Sequence, residues 1–214
     1  MKKIKRTLDL KNNIINYAVN NSKEYILVIL IFVIGIFIGV MFINNCSEQN
    51  GNSITTYISD FIQEFENETN LNHADLSIES IRNNILLAII IWLAGTTIIG
   101  LPIVLGIILF RGFCLGYTVS SICYTLGLGK GLLFCSLSIF LQNIFFIPAL
   151  LTIGVSSMKL YKSIINDRRK ETIKIEILRH TIISLMMLML LIFSSFIENE
   201  ISIKLLKLFI NKFN

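Results

Sequence analysis

The chain has 214 residues, of which 54% are hydrophobic and only 15% charged, where a soluble domain carries about a quarter charged residues. Several uncharged runs approach or exceed the ~18–20 residues that cross a bilayer, so an ordinary soluble domain is excluded and an all-α, polytopic membrane protein of one domain, residues 1–214, is expected. The net charge of +5 is spread unevenly, in step with membrane sidedness, and does not point to nucleic acid.

Residues 1–23 hold Lys2, Lys3, Lys5, Arg6, Lys11 and Lys23 against Asp9, with Ile4, Leu8, Ile15, Ala18 and Val19 at roughly helical spacing. They read either as a basic amphipathic helix on the membrane surface or as a solvated tail that sets topology. The first apolar run, Tyr25 to Ile43, is longer than a signal-peptide core and ends without a small-x-small cleavage site, so an uncleaved span is expected. Gly35 and Gly39 make a GxxxG within it, a short motif that reads as chance occurrence or as simple packing against another helix of the same chain.

Residues 44–81 contain no Lys or Arg but seven acids, Glu48, Asp60, Glu64, Glu66, Glu68, Asp75 and Glu79. With the bases ahead of the first span, this loop is expected outside the cytoplasm. Within it Ile54, Tyr57, Ile58, Phe61, Ile62 and Phe65 repeat as one apolar helical face, which docks either on the chain's own membrane helices or on a partner. Tyr57, Ile58, Phe61, Ile62 and Phe65 are the candidates for partner docking. No calcium-loop pattern accompanies the acids.

The second run, Ile85 to Phe110, is punctuated by Gly95, Gly100, Pro102 and Gly106, and a kink at Pro102 is expected. Arg111 closes it. A third run, Gly112 to about Leu126, is short for a span and carries a second GxxxG, Gly112 and Gly116. Arg111 and Lys130 are expected at its two ends, snorkelling to the headgroups. Gly127-Leu128-Gly129-Lys130-Gly131 is a turn with no phosphate-loop pattern. The fourth run, Leu132 to Met158, holds Gln142 and Asn143 near its middle, suited to interhelical hydrogen bonds, and Pro148 beyond them.

Residues 159–180 are strongly basic and are expected as a cytoplasmic loop, and a fifth run spans Thr181 to Ile197. Five crossings from a cytoplasmic N-terminus put the basic and acidic loops on their expected sides. A re-entrant pairing of runs two and three would put the 159–180 loop on the same side as the acidic one. The 198–214 tail is amphipathic and fits an interfacial helix. Cys46, Cys114, Cys123 and Cys135 form no CxxC, and His73 and His180 lie far apart, so no zinc set is expected; three of the cysteines read as small hydrophobes.

From Gly95 through Gly100 and Pro102, then Arg111-Gly112-Phe113-Cys114-Leu115-Gly116-Tyr117-Thr118, Gly129-Lys130-Gly131-Leu132-Leu133-Phe134, Leu141-Gln142-Asn143 and Ile147-Pro148, the chain resembles the stage II sporulation protein M family. Leu141 stands where that family often has Pro. The resemblance implies a scaffold in the mother-cell membrane at the sporulation septum. It would assemble with two extracytoplasmic cell-wall-degrading partners, stage II sporulation proteins D and P, to thin septal peptidoglycan for forespore engulfment. Hydrolysis would belong to the partners, and no catalytic set, cofactor or small-molecule substrate is expected. The alternative from the residues is a transporter or channel subunit with Pro102, Arg111, Gln142, Asn143 and Pro148 along a mid-membrane path.

Overall fold

The first apolar run contains no proline, and it folds as a single helix, α1 (Ser22–Asn44). The computed structural model describes residues 21–67, 73–97, 99–166 and 170–197. After α1 these form α2 (Glu48–Asn67), α3 (His73–Gly95), α4 (Gly100–Leu126), α5 (Leu128–Asn166) and α6 (Lys170–Ile197), with no strand among them. Five stretches are long and apolar enough to cross a membrane: Ser22–Asn44, Ile78–Gly95, Gly100–Leu126, Gln142–Ile165 and Ile173–Phe196. The expected N-terminal surface helix and the amphipathic tail 198–214 lie outside the described residues.

The number of spans agrees with the sequence reading, but two boundaries move. The run from Ile85 to Phe110 is not one kinked helix. It breaks at Thr96–Ile99, where the Thr96 and Thr97 hydroxyls donate to the carbonyls of Leu93 and Ala94 at 2.7 and 2.9 Å and so occupy acceptors freed at the end of α3. Pro102 then falls in the first turn of α4, where its missing N–H removes no helical bond. The third run is correspondingly not short: α4 passes straight through Arg111 and spans fully.

The basic stretch 159–180 is likewise no open loop. α5 continues to Asn166 and α6 begins at Lys170, with Glu171 in its first turn, a favourable place for an acid beside free backbone N–H groups. Lys and Arg are good helix formers, so a high charge density here extends the helices rather than ending them.

α5 is the axis of the bundle. In its span 56% of residues are buried, against 22–28% in the other four. Its Ala149, Leu150, Ile153 and Val155 pack with Val28 of α1, Ile91 of α3, Val104 and Ile108 of α4 and Leu191 of α6. Pro148 lies on its exposed side. At one end Lys162 of α5 pairs with Glu24 of α1 at 2.6 Å; at the other, α4 turns into α5 through Gly127 alone, at φ 80° and ψ 159°, a conformation essentially restricted to glycine.

The most extensive helix contact joins α1 and α4, which run parallel. The two GxxxG motifs meet here. A Cβ on Gly35 would strike the Leu109 carbonyl, on Gly39 that of Phe113, on Gly112 that of Phe32 and on Gly116 that of Ile36. Backbone touches backbone over two turns, the close approach that small residues permit inside lipid. Gly112→Ala is expected to lower stability by about 1–3 kcal/mol through overpacking. Gly106→Ala, where an added Cβ meets nothing within 4 Å, should leave stability unchanged or raised. Unfolding of the two variants in detergent micelles checks both.

Candidate functional site

Polar side chains inside an apolar bundle need partners, and the described ones gather at two levels. Near the Lys162 end, Trp92 Nε1 donates to Thr181 Oγ1 at 3.2 Å and buried His180 Nδ1 lies 3.0 Å from Ser156 Oγ. Gly95 leaves room for them: a Cβ there would meet Ser157 Oγ and, at 2.8 Å, His180 Nε2. Gly95, Ser157 and His180 therefore mark one height in α3, α5 and α6.

The second level lies about eleven residues farther along each helix, roughly 16 Å by helical rise. Counted from that height it reaches Asn84 in α3, Phe146 in α5 and Leu191 in α6. Asn84 Nδ2 donates to Ser195 Oγ at 2.6 Å and to the Leu191 carbonyl at 3.4 Å. Ser194 Oγ donates to the Gln142 carbonyl at 2.9 Å, and Asn143 Nδ2 to the Ile139 carbonyl of its own helix at 2.7 Å. On α4 the residue at this height is Arg111, whose guanidinium stands 5.3 Å from the centre of the Phe146 ring, within cation–π range. Arg111 is the twelfth of the 27 residues of α4, near the middle of that span.

This corrects the expectation that Arg111 ends a span and snorkels. It is half-buried in the middle of α4, and it lines a cleft of about 280 Å³ with Asn84, Cys114, Leu115, Thr118, Ile139, Gln142, Asn143 and Phe146. Lys130, by contrast, is exposed in the first turn of α5. Arg111, Gln142 and Asn143, singled out separately in the sequence, are brought to one place. Asn84, Phe146 and the Ser194–Ser195 pair join them unforeseen. Asn84 was hidden because it precedes the apolar run, and the serines because a lone hydroxyl barely alters hydropathy.

The other marked residues have structural positions. Gly100 lies under the Ala94 carbonyl in the α3–α4 turn, and Gly131 brings α5 against Cys123, whose Cα a new Cβ would meet at 2.7 Å; Gly129 has open space around it. Phe113 packs edge-on against Phe42 at 6.0 Å between ring centres, beside the glycine crossing. Of the docking candidates on α2, Ile58 turns inward onto Ile122, Phe134 and Cys135. Tyr57 faces outward, 73% exposed. The side chains of Phe61, Ile62 and Phe65 lie outside the described residues.

Five long apolar helices, two of them joined by the glycine crossing and three by a band of polar bonds, define an α-helical multi-pass membrane protein. The chain belongs to the stage II sporulation protein M family, whose model matches residues 28–203, and it is thus a sporulation-related membrane protein. Searches of curated proteins and of solved structures return no match.

The Asn84–Ser195 bond is expected to couple α3 to α6. A double-mutant cycle with Asn84→Leu and Ser195→Ala, read by unfolding in micelles, should give a coupling of about 0.6 kcal/mol and at most ~1.7 kcal/mol.

Proposed function

We propose that the chain is a non-enzymatic membrane scaffold in endospore formation, which gathers stage II sporulation proteins D and P for septal thinning and engulfment. Family membership across residues 28–203 carries the reading. In it the N-terminus is cytoplasmic, the α2 end of the bundle is extracytoplasmic, and the partners supply hydrolysis. The charge pattern supports this sidedness, since the α1–α3 connection carries acids and no base while the α5–α6 junction is basic.

The geometry supports α2 as the recruiting element. Ile58 fixes it to the outer ends of α4 and α5, and Tyr57 is left presented on its open side, a residue type enriched at binding hot spots. Tyr57→Glu should lower co-purification of proteins D and P from sporulating cells by roughly tenfold or more, with membrane insertion unchanged. Full recovery of both partners would remove α2 as the recruiting surface.

A transporter reading draws on the Arg111 cleft, because charged residues at mid-membrane mark substrate paths in many transporters. The described cleft favours it less, for its continuation between α4 and α5 is walled by apolar side chains such as Leu115, Val119 and Leu132. Solute flux into proteoliposomes that disappears with Asn143→Leu would reverse the preference.

A further inference from the structure

An arginine in the middle of a membrane-spanning helix calls for a negative partner, and the described chain gives Arg111 none. Phe146 covers one face of the guanidinium, but a ring and neighbouring amides do not neutralise a charge. The Lys162–Glu24 and Arg179–Glu176 ion pairs lie elsewhere, toward the Lys162 end of the bundle. The acids within the five spans are Glu24, Glu79 and Glu176, each within the first few residues of its span. The nearest of them to the height of Arg111, Glu79, stands five residues before Asn84, roughly 7 Å away by helical rise, so a second copy of the chain presents no carboxylate level with Arg111.

The shape of the site narrows what supplies the charge. The Arg111 cleft shares Leu115, Ile139 and Asn143 with a second cleft of about 180 Å³, so the two form one groove between α4 and α5. Along α5 the lining runs from Leu132 to Ile147, about fifteen residues or roughly 22 Å. Thr118, Leu132, Ser136 and Phe140 are exposed, which places the groove on the outside of the bundle, facing lipid. A small solute does not need so long an apolar trough. A helix lying along it does, and helix-in-groove docking is read by apolar anchors at helical spacing.

We propose that the α4–α5 groove is the docking site for a transmembrane helix of a partner protein that carries one acidic residue at mid-membrane, whose carboxylate pairs with Arg111. Apolar side chains of that helix fill the Leu132 side of the groove, and the carboxylate sets its depth and rotation. The inference rests on the scaffold reading only in taking the occupant to be a protein. It adds a contact inside the membrane to the one proposed for α2.

The test needs no sporulation protein, so its failure and a failure of the D and P reading are separable. Full-length donor-labelled protein is reconstituted in phosphatidylcholine vesicles with an acceptor-labelled host helix of Leu and Ala, about 23 residues long, bearing one central Glu or, in the control, Gln. Energy transfer should show the Glu helix associating roughly tenfold or more tightly than the Gln helix. The preference should survive Arg111→Lys, which keeps the charge, and vanish in Arg111→Gln. Ser136→Trp, which leaves Arg111 in place but fills the groove, should also abolish it. Equal association of the two helices overturns the proposal, as does a preference that persists in Arg111→Gln or Ser136→Trp. A preference that millimolar acetate removes assigns the site to a small carboxylate instead, and equally overturns it.

Discussion

The parallel contact between α1 and α4 is the constraint from which the rest of the bundle follows. Four glycines, Gly35, Gly39, Gly112 and Gly116, each face a backbone carbonyl of the opposite helix. Inside lipid no hydrophobic force drives such a contact; it is held by dispersion and by weak Cα–H···O bonds of about 0.5–1 kcal/mol each. These forces fall away within an ångström, so register matters more than overall apolarity. A single turn of slippage would set Ile31 or Ile108, four residues before a glycine, against backbone. With α4 fixed to α1 in this register, Ile108 reaches Val28 and Gly154 of α5, and the axis of the bundle is placed.

Polar bonds set the remaining helices. Dispersion alone would let α3, α5 and α6 slide along one another, since Leu and Ile side faces are nearly interchangeable. Asn84 to Ser195 and Ser194 to Gln142 remove that freedom, as do Trp92 to Thr181 and His180 to Ser156 nearer the Lys162 end. Two levels of hydrogen bonds, roughly 16 Å apart by helical rise, pin α6 in both height and rotation. Arg111 occupies the upper of these levels without belonging to the bonds that hold it. That separation makes it available to something outside the fold.

Much of this was legible in the residues. The span of α1, the amphipathic α2 and the number of crossings follow from patterns that hydropathy and spacing express directly, whereas the meeting of the two glycine motifs came only with the structure. The α3–α4 break was not legible either, because Ile85 to Phe110 is apolar throughout and Arg111 looked like its natural boundary. A charge is a poor boundary marker when an aromatic ring such as Phe146 can sheath it from a helix distant in sequence. Better signs of the break were Thr96 and Thr97, which can satisfy carbonyls at a helix end, and Gly100 with Pro102, a suitable first turn for the next. The polar band was unreadable for a related reason: Asn84, Gln142 and Ser194 come from three helices, and only packing makes them neighbours.

The glycine crossing also imposes an order of events during synthesis. The residues that receive Gly35 lie about 75 positions farther along the chain, so at ribosomal speeds of about 5–20 residues per second they emerge roughly 4–15 s later. Through that interval α1 stands in the bilayer with its notched face against lipid. The hairpin of α4 and α5, joined through Gly127 alone, has no such delay and can close as soon as both helices have entered. Assembly thus proceeds backward in part: the first helix made waits for the third span before it has a seat, and biogenesis passes through a lone-helix stage open to any other notched helix in the same membrane.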